Sequence, residues 1–357
     1  MKKELNEKRP YIFWADFIRV ASIFLVVLTH AASPVIRGFD QITLENWMPA
    51  NVYGSLARVC VPLLFMISGS LLLGRKDHLT PFFAGRVKKI LIPFLAWSVI
   101  YLAWQNDYGN YTFVNAVKAM IYSMLTGLAY YHLWFLRALL LVYLFVPLFQ
   151  GFVQASDEKT LWYPAILWFV FGPLLDSVRE HFKIDIKIDL GFFTDYIGYF
   201  YFGYVLGRLN YSKLAAGLAG LVFILSSIYT INMTYAATSA EGDYVEYYHN
   251  YLRLNTALMS LSAFVWMKFA GERLGQAASP AAVRILKHAA SVSFGVYLVH
   301  AAVLVMLERG GFGYSISVEA GPSFYMIPLV TVIVFAISWL IVVVIQRVPI
   351  LRAITPH

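Results

Sequence analysis

Residues 13–34 read FWADFIRVASIFLVVLTHAASP, and this stretch decides the fold. Its apolar run is long enough to cross a hydrocarbon core of roughly 30 Å, which takes about 20 residues of α-helix. A cleaved secretory signal has an uncharged apolar region of only about 7–15 residues. This run, from Tyr11 to Ala32, contains Asp16 and Arg19. The stretch is therefore predicted to be a retained first membrane helix that follows a tail of about residues 1–12.

The composition of the whole chain agrees with this interpretation. Of its 357 residues, 60% are hydrophobic and 13% are charged, whereas soluble domains average about 45–50% and about 25%. The net charge of +8 is spread between apolar runs, so no nucleic-acid partner is expected. Cys60 is the only cysteine, which excludes disulfides within the chain and thiolate-rich zinc sites.

Apolar runs of membrane-spanning length recur from end to end, and they predict an all-α, polytopic transmembrane helical bundle of about ten spans. The predicted spans lie near residues 13–34, 52–74, 89–105, 132–153, 161–175, 192–209, 213–232, 252–270, 286–307 and 324–346. Segment 113–128 is either an interfacial helix or an eleventh span. No linker divides the chain, so residues 1–357 are predicted to form one membrane-embedded domain.

The distribution of lysine and arginine predicts the orientation, because cytoplasmic loops carry the excess of these residues. With ten spans both termini lie on one side, and that side is basic. It includes Arg75, Lys76, Arg86, Lys88 and Lys89. The opposite loops, 35–51 and 233–251 among them, are acid-rich. Both termini are therefore predicted to be cytoplasmic.

Three ionisable residues share one face of the first helix. Arg19 and His30 are eleven positions apart, which leaves only about 20° between them around the helix axis. Asp16 precedes Arg19 by three residues, a spacing that allows an ion pair. Ionisable groups inside a membrane span cost a few kcal/mol each, so they indicate function by default. Two structural alternatives remain open: an interfacial anchor at Asp16 and Arg19, and a helix-packing role for His30.

The arginine, ten residues and histidine of this helix resemble the signature of acyltransferase family 3, whose members are bacterial inner-membrane enzymes that O-acylate polysaccharides and glycolipids. Later segments resemble further motifs of that family, in order. They are PLLFMISG at 62–69, FFAGRVKKILIP at 82–93, HLWFL at 132–136 and SFGVYLVH at 293–300. Lys89 stands where a second arginine is usual in the family. The chain is similar to the family's stand-alone members.

The resemblance implies a multi-pass protein of the bacterial inner membrane that is an O-acyltransferase, with acetyl-CoA or another acyl-CoA as donor substrate. The implied acceptor is a hydroxyl group of a cell-envelope glycan or glycolipid. The other expected partners are membrane lipids, and no permanently bound cofactor is expected. Since histidine titrates near neutral pH, His30 is our candidate either for the base that takes the hydroxyl proton or for an acyl carrier. Arg19, held by Asp16, is expected to position the donor or stabilise developing charge.

Residues outside this helix are candidates for binding the donor or for lining the acceptor side. Arg86 and Lys89, one turn apart at a predicted cytoplasmic helix entrance, are expected to bind the phosphates of the donor. Arg75, Lys76 and Lys88 are interpreted as topology determinants. Residues considered for the acceptor side or for a cavity wall are Ser68, His132, Trp134, Tyr297 and His300. Helix packing is the favoured role of Ser68, and an interfacial aromatic belt explains His132 and Trp134. For Tyr297 and His300, a site role and packing are evenly balanced.

Several other functional classes lack their motifs. The sequence has no P-loop, no His-Glu-x-x-His helix and no Gly-x-Ser-x-Gly elbow, and no metal site is predicted. The alternative function is a transporter or flippase of a lipid-linked glycan or small solute that uses Asp16, Arg19 and His30 as a proton or substrate path. Transporters often show paired interrupted helices in matching halves, and no such pair is evident here.

Overall fold

The computed structural model describes residues 11–105, 112–126, 129–188, 191, 195–311 and 313–356. These residues form helices and connecting segments, and no strand occurs among them. The predicted all-α class is confirmed. The predicted tail of about residues 1–12 lies outside the described residues except for Tyr11 and Ile12.

Within the described ranges the chain forms fourteen α-helices. They are α1 (Phe13–Arg37), α2 (Leu44–Ala57), α3 (Cys60–Leu72), α4 (Leu79–Arg86), α5 (Ile92–Gln105), α6 (Phe113–Thr126), α7 (Trp134–Ala155), α8 (Glu158–Phe169), α9 (Leu175–Phe182), α10 (Ile197–Gly207), α11 (Lys213–Glu241), α12 (Leu254–Ala277), α13 (Pro280–Glu308) and α14 (Ser323–Ile345). π-helical segments at Val87–Leu91 and Val170–Leu174 join α4 to α5 and α8 to α9.

Each predicted span overlaps helical residues, and span 52–74 is divided between α2 and α3. Eight helical stretches of the described chain are long and apolar enough to cross a membrane, α2 and α3 counting as one stretch. The protein is therefore a multi-pass membrane protein. The helices at predicted spans 192–209 and 252–270 are not among the eight. Helix α10 has only 11 residues, and residues 192–194 lie outside the described chain. Helix α6, with 14 residues, also falls short, and residues 127 and 128 are not described. The count of ten spans and the orientation stay predictions.

Several helices extend beyond the predicted spans, and local chemistry explains where they end. Helix α11 continues past the predicted end near residue 232 because its later threonines, such as Thr234 and Thr238, are buried. It stops at Gly242, whose φ of 75° is left-handed and suits glycine. Helix α13 begins at Pro280, before the predicted residue 286, because the Ser279 side chain caps it by accepting the Ala282 N–H.

Helix α1 lies at the centre of the bundle, in contact with α2, α3, α12, α13 and α14. Small and branched apolar residues on its surface, such as Ala15, Ile18, Val27 and Ala31, are almost completely buried against these neighbours. Helix α1 therefore lies in the interior of the bundle, with Asp16, Arg19 and His30 partly buried.

Helices α3 and α10 pack with their backbones in direct contact, and glycines make this possible. A Cβ atom at Gly69 would lie 1.6 Å from the Phe200 carbonyl oxygen, and one at Gly203 would lie 2.0 Å from that of Met66. No other residue type fits either position without displacing a helix. This contact fixes α3, which carries the Ser68 segment, against the rest of the bundle.

Helix α12 contains a buried cation that serves packing. The side chain of Lys268 is 3% exposed; it donates to the Leu209 carbonyl oxygen at 2.7 Å and pairs with Glu272. It also lies over the rings of Trp14 and Tyr211. Its charge is fully compensated by these groups, as buried charges require.

Candidate active site

The polar stripe of α1 is present as an ordered set of contacts. The Arg19 guanidinium donates to Asp16 Oδ1 at 2.7 Å, so the predicted i, i+3 contact is confirmed. The Tyr11 hydroxyl also hydrogen-bonds to Asp16, and burial together with this carboxylate raises the pKa of Tyr11 to about 12. Asp16 therefore holds Arg19 at the start of the helix.

Arg19 opens onto a cavity of about 340 Å³, here called the Arg19 cavity. Arg75, Arg86 and Lys89 lie in its wall, so four cationic side chains converge on one space. Ser68, Phe135 and Tyr297 complete the part of the wall nearest the centre of the bundle. The structure thus places Arg86 and Lys89, which were predicted to bind the acyl donor, in the same cavity wall as Arg19.

The π-helical turn Val87–Leu91 begins directly after Arg86 and contains Lys89. The Arg86 guanidinium lies over the rings of Phe82 and Tyr143, 5.4 and 5.3 Å from their centroids. Such cation–π contacts orient a guanidinium without using up its donors. Single π-helical turns occur frequently at functional sites, where they displace one residue from the regular helical register.

Arg75 is a member of this cavity that the sequence interpretation assigned to topology alone. The residues interpreted in the same way, Lys76 and Lys88, are not part of the cavity wall. Sequence spacing could not show which of these three residues lines the cavity. Arg75 follows the end of α3 and lies in the wall, whereas Lys88, in the π-helical turn after Arg86, does not.

His30 lines a second and larger cavity of about 660 Å³, here called the His30 cavity. Its wall includes Trp134, Tyr131, Tyr196 and Tyr251, so aromatic rings dominate the space around the histidine. Of the five residues considered above for the acceptor side or a cavity wall, Trp134 lies in this wall. Ser68 and Tyr297 face the Arg19 cavity instead.

His132 and His300, which are fully buried, pack directly behind His30. The His30 and His300 rings are stacked with centroids 5.3 Å apart, and His132 lies 5.0 Å from His300 and 6.5 Å from His30. Three histidines that were separate candidates in the sequence therefore form one cluster, the histidine cluster. In the described chain no group of three His, Cys, Asp or Glu side chains has the geometry to hold a metal ion.

The hydrogen bonds of His300 define its tautomer. Its Nδ1 lies 2.6 Å from the Tyr297 carbonyl oxygen, which can only accept, so Nδ1 carries the proton in the neutral ring. Its Nε2 is then a lone-pair acceptor, buried and without a hydrogen-bond partner in the described residues. A basic nitrogen thus lies within the cluster that contains His30.

Tyr297 connects the wall of the Arg19 cavity to the histidine cluster. Its side chain lines the Arg19 cavity, its hydroxyl donates to the His132 carbonyl oxygen, and its ring lies 5.9 Å from that of His300. A thin layer of side chains therefore separates the cationic cavity from the cavity that contains His30. Ser68 also faces the Arg19 cavity, but its hydroxyl donates to the Leu64 carbonyl oxygen, as expected for a helix-packing serine.

Sequence reasoning missed Arg58, which lies in the wall of the His30 cavity. The signal was available: Arg58 interrupts the apolar run 52–74, and an arginine inside a predicted span indicates function in the same way as Arg19 does. His249, another wall residue, lies within the tyrosine-rich loop 244–251, whose tyrosines could stack on sugar rings or form an interfacial belt, and the histidine itself was not singled out.

Comparison with known proteins gives one match. The family model described as an acyltransferase domain, that of acyltransferase family 3, matches residues 12–343. No curated protein and no solved structure matches the chain. The matched range includes every residue of the two cavities named above.

Proposed function

Because this chain belongs to acyltransferase family 3, we propose that it is an O-acyltransferase that moves an acyl group from acyl-CoA to a hydroxyl of a cell-envelope polysaccharide or glycolipid. Acetyl-CoA is the simplest donor. Membership of the family implies membrane acyltransferase activity. We propose in addition the acyl-CoA donor, the glycan acceptor and a location in the bacterial inner membrane. No observation favours a transporter or flippase.

The Arg19 cavity suits the donor. Coenzyme A carries phosphates, and guanidinium groups bind phosphate oxygens through paired, charge-assisted hydrogen bonds. Arg75, Arg86 and Lys89 would meet these phosphates, while Arg19, already held by Asp16, would lie nearer the thioester. The predicted cytoplasmic location of these residues matches the compartment that holds acyl-CoA.

The His30 cavity suits the acceptor. Sugar rings pack their C–H faces against aromatic side chains, and Tyr131, Trp134 and Tyr251 offer such faces beside the histidine. The Tyr131 ring lies 4.8 Å from the His30 ring. A hydroxyl group of a bound sugar would then lie within reach of the imidazole.

One observation carries this proposal: a single helix, α1, contributes a wall residue to each of the two cavities, Arg19 to one and His30 to the other. Arg19 and His30 are eleven residues apart on α1, which is an axial distance of about 16 Å. The flexible pantetheine arm of the coenzyme would extend along this face past Tyr297. The thioester would reach His30 while the nucleotide stays at the cationic end.

Two routes for the reaction use the same residues. As a base, His30 takes the proton of the acceptor hydroxyl while its oxygen attacks the thioester carbonyl; the C–S bond then breaks, and the thiolate receives the proton. As an acyl carrier, a His30 nitrogen attacks the thioester carbonyl, the C–S bond breaks, and the thiolate takes up the imidazole proton. The sugar hydroxyl then attacks the acyl-imidazole, the C–N bond breaks, and the imidazole receives the hydroxyl proton. Both routes need an uncharged His30, because only a neutral imidazole has a nitrogen lone pair that can act as base or nucleophile.

The test is acyl transfer by the purified protein in lipid, with radiolabelled acetyl-CoA and a crude envelope glycolipid fraction. The wild-type chain should produce alkali-labile label on the glycolipid. His30→Ala should lose about 10²–10⁴-fold in rate, since that is the usual contribution of a general base. His288→Ala is the matched control, because His288 lies outside both cavities. Full activity of His30→Ala would refute the role given to His30.

The same preparation separates the two routes. With acetyl-CoA and no acceptor, an acyl-carrier mechanism labels the protein itself, and hydroxylamine should remove that label. Label on the wild-type chain that is absent from His30→Ala would establish the carrier route. Transfer without any labelled protein intermediate would favour His30 as a base.

A further inference from the structure

Arg58 lies where helix α2 ends and α3 begins, and its side chain forms part of the wall of the His30 cavity. Its guanidinium lies 5.7 Å from the centroid of the Tyr251 ring. In the described residues no carboxylate lies within 4.0 Å of it, and its Nε has no hydrogen-bond partner. Arg58 therefore has no carboxylate in direct contact among the described residues, and Glu246 in the same cavity wall acts on it only from beyond ion-pair distance.

A chain of hydrogen bonds holds Arg58 and gives the wall its polarity. The Asn51 amide donates to the Ile231 carbonyl oxygen, so its Oδ1 accepts from Ser55 Oγ. Ser55 Oγ then accepts from His249 Nε2 at 2.9 Å, which leaves His249 Nδ1 to accept from the Tyr244 hydroxyl at 2.8 Å.

The last link is Arg58, which hydrogen-bonds to the Tyr244 oxygen. Every member before it is uncharged, including His249, because burial and the nearby Arg58 hold the pKa of that imidazole well below its usual range. The network thus keeps the histidine neutral and directs the single positive charge toward the cavity.

The other charges of this cavity lie at its mouth. Arg37 and Glu246 approach within 3.7 Å of each other, and their side chains are 61% and 58% exposed. Glu308 is also exposed. These groups are solvated, whereas Arg58 is a less exposed cation of the wall, on which Glu246 acts without direct contact.

A purely structural role for Arg58 makes a different prediction. A cation at the end of α2 is favoured by the helix dipole, and its stacking near Tyr251 adds to this. Such a role would stabilise the protein without discriminating between ligands. An enclosed guanidinium with no carboxylate partner costs free energy, however, and an anionic ligand would remove that cost.

We infer that Arg58 is the anion-binding group of the His30 cavity, and that it recognises a carboxylate or phosphate carried by the glycan that enters there. This inference rests on the proposed function, because it treats the cavity as the acceptor site. It makes the preferred acceptor an acidic saccharide. A guanidinium suits both anions, since each presents two oxygens to its planar fork.

The experiment measures binding without turnover. Diethylpyrocarbonate modifies histidines, and a small glycoside bound in the cavity should protect His30 of the full-length protein from it. Modification of His30 is measured by peptide mass spectrometry, with the exposed His288 as the internal reference. The probes are methyl glucuronide, methyl glucoside 6-phosphate and the neutral methyl glucoside. In the wild type one or both acidic probes should reach half-protection at a concentration about 10–100-fold lower than methyl glucoside, the range expected for a charge-assisted hydrogen bond.

Arg58→Gln should abolish the preference, and the control Arg284→Gln, outside both cavities, should retain it. If Arg58→Gln does not fold, Arg58→Lys should weaken the preference, because lysine keeps the charge but lacks the fork. Equal protection by all three probes in the wild type would overturn the inference, as would a preference that survives in Arg58→Gln. Since no acyl donor is present, failure of the proposed acyl transfer would show in the earlier assay and not in this one.

Discussion

At the scale of single residues, the contact between Arg19 and Asp16 defines how one charged group is held inside the bundle. The guanidinium uses one amino group on Asp16 and keeps its other donors for the Arg19 cavity. A lysine would have one ammonium for both tasks, and it could not present a planar fork.

Arg19→Lys should therefore lower kcat/KM for acyl-CoA by about 10–100-fold, the equivalent of one or two lost charge-assisted hydrogen bonds. Arg347→Lys, on an exposed segment away from the cavities, is the matched control and should behave like the wild type. Unchanged kinetics in Arg19→Lys would show that only the charge of Arg19 matters.

His249 predicts a pH dependence of stability. Its folded-state pKa is lowered below the ordinary value of 6.5 by burial and by Arg58. The unfolded chain therefore binds the proton first, so the stability is fully present above that value and is lost as the pH falls toward the folded pKa. Between about pH 7.5 and about pH 5.5 this single group should cost roughly 1.4 kcal/mol.

The measurement is thermal unfolding of the detergent-solubilised protein at both pH values, compared with His249→Gln. The variant cannot take up this proton, so its loss of stability on acidification should be smaller than that of the wild type. Equal losses would mean that His249 is not the responsible group.

At the scale of elements, the end of α4 and the π-helical turn Val87–Leu91 place Arg86 and Lys89 in the wall of one cavity and leave Lys88 outside it. We expect the double substitution Arg86→Gln with Lys89→Gln to raise the KM for the acyl-CoA donor and to leave the KM for the acceptor nearly unchanged. The loss of two phosphate contacts should raise the donor KM by at least about tenfold.

Lys76→Gln with Lys88→Gln removes the same charge from the same side of the chain and is the matched control. Both residues lie outside the cavity wall, so donor dependence should be retained. A donor KM that changes equally in both double variants would indicate a general effect of surface charge.

The contact of α3 with α10 predicts a large effect from a very small substitution. Gly69→Ala would place a methyl group 1.6 Å from the Phe200 carbonyl oxygen, so the helices must separate. The expected loss is about 1–3 kcal/mol, which should lower the midpoint of thermal unfolding.

Gly217→Ala on α11 is the control, because a Cβ at that position meets nothing within 4 Å. It should be neutral or slightly stabilising, since alanine is favoured over glycine by about 1 kcal/mol within helices. Equal stability of Gly69→Ala and the wild type would mean that the two helices can separate without cost.

At the scale of the whole molecule, the proposed reaction needs the Arg19 cavity on the cytoplasmic side and the His30 cavity on the opposite side. Cysteines at Asp40 and Asp243 should therefore react with an impermeant maleimide on intact cells, and a cysteine at Lys76 should react only after lysis. All three positions are exposed, and the native Cys60 is buried. Labelling in the reverse pattern would invert the orientation and remove the cytoplasmic donor from the Arg19 cavity.

The sequence by itself determined the helical membrane class, the position of most helices and the stripe on α1. These features are local: about 20 consecutive apolar residues define a span, and a three-residue spacing places Asp16 beside Arg19. The helical bounds were less predictable, because caps such as Ser279 and buried threonines extend helices beyond their apolar runs.

Only the tertiary structure decided which faces meet. It brought His132 and His300 behind His30, gathered Arg75, Arg86 and Lys89 around Arg19, and placed Arg58 in the His30 cavity. Periodicity identifies the polar face of one helix, but the partner of that face depends on how every helix packs. Contacts such as the glycine-mediated approach of α3 to α10 fix that arrangement, because they join segments far apart in the chain and leave no local pattern from which the pairing could be inferred.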